Sequence, residues 1–251
     1  MAHPTEPTVW YRISQPLARW WVGALVRARF EGLENLPASG PCLLLPNHQS
    51  VLDPLLLQGT LPRPVDSMTK STQFSSRFFR WLLPRVHAFP VRRYRIDAQS
   101  VRVVLRRLEQ GCVVCVYPEG ERSWDGCLQP LRRGTLRLIL RAGVPVVPVG
   151  IDGTYRTWPR WARRPRRGFT AHVRLGTPIH FGPYRDRQER EAALPEAERV
   201  LRNALLELSG EAARVRVASP PIVPVAQPES VPAPGVRAPR PGASRSDAEE
   251  R

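Results

Sequence analysis

The sequence of 251 residues has little lysine, little cysteine and no long apolar run. Lys70 is its only lysine, so arginine supplies nearly all of the positive charge. No run of about 18 apolar residues is present, and we therefore expect no ordinary transmembrane helix. The opening residues lack a basic segment followed by an apolar one, which argues against a secretory signal peptide. Four cysteines fit no disulfide framework in a chain of this length, so we expect a reducing, cytoplasmic setting.

Acidic residues are also in the minority. The chain has 22 Asp and Glu against 38 Lys and Arg, which gives a formal net charge of +16. Such an excess predicts an anionic partner, which could be a phosphorylated substrate, an anionic membrane surface or nucleic acid. Hydrophobic residues make up 42% of the chain, so a domain of this size can bury a sizeable core.

The two ends of the chain differ from its middle. Residues 213–251 are rich in proline and alanine, and they cannot bury enough apolar surface to offset the entropy lost on ordering. We predict that they form a disordered tail. Residues 1–30 contain an amphipathic pattern from about Val9 to Arg29, with tryptophans on one face and arginines on the other. This pattern is typical of a helix in a membrane interface, although it also fits a helix that packs on the protein's own core.

Residues 31–212 alternate short apolar runs with helical patterns. Three strand-length runs are Cys42–Asn47, Cys112–Tyr117 and Val144–Ile151, and Asp97–Gln110 has the apolar stripe of a helix. Alternation of this kind predicts a single α/β domain, in which a central mixed sheet is flanked by helices.

A histidine and an aspartate follow the first of these predicted strands. His48 and Asp53 would lie at the carboxyl end of the strand, where open α/β sheets place their ligands. An imidazole can accept a proton near neutral pH, and a carboxylate on its other nitrogen fixes the tautomer. The alternative is that Asp53 caps a helix that begins at Pro54, and that His48 is an ordinary loop residue.

Two further motifs carry arginine. The segment Tyr117–Ser123 reads YPEGERS, in which Gly120 permits a tight turn and Arg122 offers a planar fork to a phosphate. A polar turn with an internal Glu–Arg pair would have the same sequence. The segment Phe89–Arg93 reads FPVRR, and its two arginines could hold a phosphate or form a solvated basic turn.

Together and in this order, the motifs resemble those of the 1-acylglycerol-3-phosphate acyltransferases and related glycerolipid acyltransferases. The family's motif of histidine, four residues and aspartate is similar to NHQSVLD, and its phosphate-binding arginine corresponds to Arg93 in FPVRR. Its FPEGTRS motif is similar to YPEGERS, in which Tyr117 and Glu121 replace the usual Phe and Thr. Its apolar fourth motif is similar to VPVVPV at 144–149, and the resemblance covers about residues 10–210.

The resemblance implies an O-acyltransferase. His48 would take the proton from an acceptor hydroxyl while Asp53 orients it, and the oxygen would attack the thioester of an acyl-CoA or acyl carrier protein. Arg93, Arg122 and the turn at Glu119 and Gly120 would bind the acceptor's phosphate. The thioester is a co-substrate, and neither a cofactor nor a metal is implied.

The implied acceptor is a lysophospholipid, in the first place 1-acyl-sn-glycerol 3-phosphate, which would give phosphatidate. Another lysolipid or glycerol 3-phosphate is the alternative acceptor. We expect peripheral attachment to an anionic membrane surface, on the cytoplasmic face of the cell membrane. A basic nucleic-acid-binding protein is the remaining alternative, since Thr154–Gly168 interleaves arginine with tryptophan. No nucleic-acid-binding motif accompanies that stretch, so a membrane-surface loop is the preferred interpretation and no nucleic acid partner is expected.

Overall fold

The computed structural model describes residues 5–91 and 98–211, which form a seven-stranded sheet with helices on both faces. The strands are β1 (Val26–Glu31), β2 (Cys42–Pro46), β3 (Val65–Lys70), β4 (Ala88–Val91), β5 (Val113–Cys115), β6 (Val146–Asp152) and β7 (Phe169–Leu175). The α-helices are α1 (Val9–Gly23), α2 (Asp53–Thr60), α3 (Arg77–Leu82), α4 (Ala98–Glu109), α5 (Arg133–Ala142), α6 (Thr154–Thr157) and α7 (Arg187–Leu208). The predicted tail at 213–251 and the predicted site residue Arg93 lie outside the described residues.

The sheet has the strand order β1-β7-β6-β2-β5-β3-β4. β2 is central, and it runs parallel to both of its neighbours, β5 and β6. β3 and β4 continue in the same direction, whereas β7 runs antiparallel to β6 and parallel to β1. The predicted α/β domain with a mixed sheet is therefore confirmed. Because β2, β5 and β6 are parallel neighbours, their carboxyl ends meet at one edge of the sheet.

Every residue of β2 is buried, which explains why its sequence is a continuous apolar run. Leu43 and Leu45 pack on one side of the sheet, among side chains of α4, α5 and α7. Cys42 and Leu44 pack on the other side, among side chains of α2 and the end of α1. The alternation of a strand thus divides the core into two layers.

α1 is shorter than the sequence pattern predicts. The helix begins after Thr8, whose hydroxyl accepts a hydrogen bond from the Tyr11 amide at 3.0 Å, and it ends at Gly23. The predicted helical stretch up to Arg29 is wrong, because Val26–Glu31 form β1. That segment reads VRARFE, and its strict apolar–charged alternation has the period of a strand. None of the described helices is both long enough and apolar enough to cross a bilayer.

α1 presents two different faces. Tyr11, Ala18 and Val22 are buried, and the Tyr11 hydroxyl accepts a hydrogen bond from the amide of Val65 at 3.2 Å. The face turned away from the sheet carries large exposed side chains, of which Trp20 is 69% exposed. One stripe of the helix therefore packs on the domain, while the stripe that carries Trp20 points outward.

Candidate active site

The loop that leaves the carboxyl end of β2 brings His48 and Asp53 together. Nδ1 of His48 lies 2.8 Å from Oδ2 of Asp53. The two side chains can meet because the loop turns at 47–52 before α2 begins at Asp53. The Asp53 side chain is fully buried, whereas 13% of the His48 side chain is exposed. The imidazole is thus the member of the pair that a substrate can reach.

Both carboxylate oxygens of Asp53 accept further hydrogen bonds. Oδ2 accepts from the amides of Gln49 at 2.7 Å and Ser50 at 2.8 Å. Oδ1 accepts from the hydroxyl of Thr154 at 2.7 Å. These donors fix the position of the carboxylate. With the carboxylate as acceptor at Nδ1, the proton is assigned to that nitrogen, so Nε2 of His48 is left as the atom that can act as a base.

The His48 ring stacks on the ring of Tyr117, which lies two residues after the end of β5. The ring centroids are 3.8 Å apart and the planes are inclined by 24°. Burial raises the pKa of the Tyr117 hydroxyl well above its ordinary value, so the phenol stays neutral at physiological pH. Tyr117 therefore gives the imidazole an uncharged platform that limits its rotation.

Glu119 joins the two motif loops from inside the protein. Its Oε1 accepts from the backbone amide of His48 at 2.6 Å, and its Oε2 accepts from the amide of Gln129 at 2.8 Å. The residue is only 1% exposed. Burial raises the pKa of Glu119 to about 8, although the two backbone hydrogen bonds act in the opposite direction. The resemblance implies a place for Glu119 beside the acceptor's phosphate, and in the structure its carboxyl faces backbone amides under His48.

Gly120 closes the turn that begins at Tyr117. Its amide donates to the Tyr117 carbonyl at 3.0 Å, and its φ of 74° lies in the left-handed region that favours glycine. The side chain of Arg132 covers this turn, since a Cβ at Gly120 would lie 3.2 Å from Cγ of Arg132. Farther along the turn, the amide of Ser123 donates to the carbonyl of His48 at 2.7 Å. The second motif thus holds the first in place through its backbone.

Arg122 lies on the same turn and is partly exposed. The neighbouring Glu121 pairs with Arg132 at 3.0 Å and with Arg160 at 3.1 Å. Arg160 also donates to the carbonyl of Arg122 at 2.8 Å, and its guanidinium lies 3.4 Å from the centre of the Trp124 ring. The arginine-rich stretch after β6 therefore supports the backbone that carries Arg122.

Sequence reasoning does not find Thr154 or the role of Asn47. The side-chain amide of Asn47 bonds both backbone groups of Ile151, at 2.9 and 2.6 Å, and so ties the end of β2 to β6. Thr154 follows β6, at the same edge as His48 but 101 residues after Asp53. A polar residue just past a third predicted strand is the signal that would have drawn attention to it.

This edge of the sheet brings together an imidazole, a buried carboxylate and a loop that carries a guanidinium. The loop of His48, which leads to Asp53 at the start of α2, is hydrogen-bonded to the loop that carries Glu119, Gly120 and Arg122. Such an arrangement can take a proton from a hydroxyl and can attract an anionic group beside it. Within 5–91 and 98–211, no cluster of three or more His, Cys, Asp or Glu could hold a metal ion.

Comparisons with known proteins point the same way. A family model described as Acyltransferase matches residues 27–152. A chloroplastic 1-acyl-sn-glycerol-3-phosphate acyltransferase of Brassica napus is 31% identical over 150 residues, which are 57% of this chain and 43% of that protein. The Bacillus subtilis 1-acyl-sn-glycerol-3-phosphate acyltransferase is 28% identical over 167 residues, which are 65% of this chain and 80% of that protein.

A solved structure has the same fold. The crystal structure of the 1-acyl-sn-glycerophosphate acyltransferase of Thermotoga maritima matches with a TM-score of 0.63 and 23% identity, over 80% of each chain. The match to the plant relatives is partial, since this chain spans about half of their length.

Proposed function

The chain belongs to the acyltransferase family, and we propose that it moves an acyl group from a thioester to the hydroxyl of a lysophospholipid. The acceptor that we propose is 1-acyl-sn-glycerol 3-phosphate, the substrate named for the relatives, and the product is then phosphatidate. The acyl donor is acyl-CoA or acyl carrier protein. The observation that carries the proposal is the contact of 2.8 Å between Nδ1 of His48 and the buried carboxylate of Asp53.

In the proposed reaction, Nε2 of His48 accepts the proton of the acceptor hydroxyl as its oxygen attacks the thioester carbonyl. Asp53 stabilises the imidazolium that forms, because its carboxylate lies on the opposite ring nitrogen. Collapse of the tetrahedral intermediate breaks the C–S bond, and the proton passes from the imidazolium to the departing thiolate. The enzyme ends in its starting protonation state.

We place the acceptor's phosphate beside Arg122 and the turn at Glu119 and Gly120. A guanidinium matches a phosphate with two parallel hydrogen bonds, and Arg122 is held near His48 by the backbone contacts of its turn. In this proposal Gly120 lets the backbone approach the phosphate closely, and Glu119 acts by fixing the two loops. Arg93 completes the phosphate site on the strength of the sequence resemblance.

We further propose that residues 1–30 attach the catalytic domain, residues 31–212, to the cytoplasmic face of the cell membrane as a peripheral protein. The exposed tryptophans of α1 support this proposal, and the net charge of +16 suits an anionic lipid surface. A nucleic acid partner is not proposed, because Arg160 of the arginine-rich stretch is engaged by the turn that carries Arg122.

The test is a transfer assay with purified protein. Lysophosphatidate, other lysolipids and glycerol 3-phosphate are each incubated with labelled acyl-CoA or labelled acyl carrier protein, and the lipid products are separated. We expect label in phosphatidate, with little or none in the other products. Folded protein that labels none of these acceptors would contradict the proposal.

The matched control in this assay is His48→Ala. General-base catalysis is typically worth about 10²–10⁴-fold, so the turnover number should fall by at least that order. Asp53 keeps its hydrogen bonds from Gln49, Ser50 and Thr154 in this variant, so the protein should still unfold cooperatively. Near-normal turnover by the folded variant would remove His48 from the proposed mechanism.

A further inference from the structure

Large exposed apolar side chains concentrate on two helices. Of those found in the described part of the chain, six lie on α1 and three lie on α3. The α3 residues are Phe78, Phe79 and Trp81, which are 60%, 44% and 41% exposed. Soluble proteins seldom leave adjacent aromatic side chains in water without a partner for them. α3 therefore has a surface that the proposed chemistry does not explain.

The two helices share one surface. Trp10 of α1 meets Trp81 of α3 edge to face, with ring centroids 4.9 Å apart. Phe78 continues the cluster on α3, since its ring centre lies 5.5 Å from that of Phe79 and 6.3 Å from that of Trp81. On α1 the stripe runs on from Trp10 at helical spacing through Ile13, Leu17 and Trp20. We call these seven side chains the aromatic face.

The charged side chains within the two segments that carry the aromatic face are all positive. The sequence contains no Asp or Glu from Val9 to Phe30 or from Ser67 to Val91. Exposed Arg77 begins α3, and the guanidinium of Arg85 lies 4.6 Å from the centre of the Trp81 ring. Aromatic rings beside arginines suit the headgroup region of an anionic bilayer. A second copy of the chain is a poorer occupant, because two such faces would repel each other.

We propose that α3 is a second lipid-docking element, so that α1 and α3 together seat the protein on an anionic bilayer. This inference rests on the proposed function only in choosing a lipid surface. The far end of α1 reaches the candidate active site, since the ring centre of Trp21 lies 6.1 Å from that of Trp158. The carbonyl of Trp158 accepts the hydroxyl of Ser50 at 2.8 Å, two residues from His48. Docking through the aromatic face thus sets the site beside the surface that holds lipid acceptors.

The experiment measures binding without any substrate. Full-length protein is floated with vesicles of phosphatidylcholine and phosphatidylglycerol, and the partition constant is compared for parent, Phe78→Ser/Phe79→Ser and Trp20→Ser. Both phenylalanines are exposed, so the double variant should keep the parent's melting curve. We expect its partition constant to fall at least tenfold, as for Trp20→Ser. A double variant that floats like the parent, while Trp20→Ser does not, overturns the role of α3.

Two variants that each remove one arginine test whether the position of the positive charge matters for binding. Arg77→Gln removes an exposed arginine of α3, and Arg141→Gln removes an exposed arginine of α5, a helix that packs on the opposite side of the sheet from α1. We expect binding to fall about fivefold for Arg77→Gln and to stay within about twofold for Arg141→Gln. Equal losses in the two variants would show attraction by net charge alone and would contradict a docking face.

Two further measurements separate this inference from its alternatives. Gel filtration without lipid should give the same monomeric size for parent and Phe78→Ser/Phe79→Ser. A parent dimer that the double variant abolishes would assign the face to self-association and overturn the proposal. With a short-chain, water-soluble acceptor, the double variant should keep the parent's turnover. Vesicle binding through α3 by a protein that acylates no acceptor would contradict the proposed function and leave the docking face standing.

Discussion

At the scale of single residues, Asp53 is the more firmly held member of the His48–Asp53 pair, because its buried carboxylate accepts three further hydrogen bonds. The spacing of the two residues predicts that they meet only if a turn comes before the helix, and the structure contains that turn. The hydroxyl of Thr154 is the one side-chain donor, among the described residues, on Oδ1 of Asp53. Thr154 follows β6, a strand that pairs with β2 only in the folded sheet, so local sequence could not identify it.

We predict that Thr154 is a positioning residue for Asp53. Thr154→Val keeps the shape and removes the donor, which leaves Oδ1 buried and unpaired and should cost about 1–3 kcal/mol of stability. The loss also makes the carboxylate a stronger partner for the imidazolium, so the acidic limb of the pH–rate profile should move to higher pH. Turnover should fall while the acceptor KM stays nearly constant.

Thr154→Ser is the rescue variant for this prediction. It restores a hydroxyl at the same position, so the acidic limb should return to that of the parent. If Thr154→Val lowers stability and leaves the pH profile where it was, the hydroxyl has a structural role only.

Glu119 should make stability depend on pH. Its pKa is about 8 in the folded protein against an ordinary value of 4.5, so the unfolded chain releases this proton at lower pH than the folded one does. The free energy of unfolding should therefore fall as pH rises from about 4.5 to about 8, by at most roughly 1.4 kcal/mol per pH unit. Denaturant titrations at pH 5, 7 and 9 measure this slope. It should be smaller in Glu119→Gln, and an equal slope in that variant would assign the pH dependence to other groups.

Arg122 is predicted to bind the acceptor rather than to move protons. Its guanidinium cannot act as a base near neutral pH, whereas its planar fork matches a phosphate. Arg122→Lys keeps the charge and loses the fork, so the acceptor KM should rise several-fold while the donor KM changes little. If the KM for the donor rose while the KM for the acceptor stayed unchanged, Arg122 would instead belong to the site of the thioester's phosphopantetheine arm.

At the scale of elements, the strands with continuous apolar runs could be predicted, whereas the edge strand β1 could not. β2 lies within its predicted segment and β6 extends one residue beyond its own, and both were predictable because central strands are buried on both sides. β1 was hidden inside the predicted helix, since Ala24, Leu25 and Ala28 continue the apolar face of α1 when they are read with helical spacing. The partner of β1 is β7, more than a hundred residues away, and no local pattern contains that pairing.

A glycine on β6 shows how closely the helical layer approaches the sheet. A Cβ at Gly150 would overlap the backbone of Leu208 and Ser209, at the end of α7. We predict that Gly150→Ala lowers the free energy of unfolding by about 1–3 kcal/mol, because α7 must move away from β6. Gly23→Ala is the matched control, since no atom lies within 4 Å of its added Cβ. Urea unfolding compares them, and equal midpoints for the two variants would contradict the close approach.

At the scale of the whole molecule, the net charge indicates the kind of partner, and the topology of the sheet explains how the motifs come together. The excess of arginine indicates an anionic partner, but it does not distinguish a lipid surface from nucleic acid. The order of the motifs along the chain separates those classes, and the strand order explains why the motifs meet. β2 and β5 are neighbours in the sheet, although Asn47 and Tyr117 are far apart in sequence. The pairing of His48 with Asp53 was thus predictable, whereas its stacking on Tyr117 depends on the strand order.

The strand order also has a consequence for biosynthesis. Of the described strands, β1 has β7 as its only neighbour. During translation β1 therefore stays unpaired until β7, the last of these strands, has been synthesised. At roughly 5–20 residues per second, the intervening ~140 residues take about 7–28 s to translate. The arginines of β1 keep its unpaired edge charged during this wait, which opposes pairing with other chains. Since Thr154 also emerges late, α1, the proposed docking helix, is synthesised before the hydroxyl that contacts Asp53.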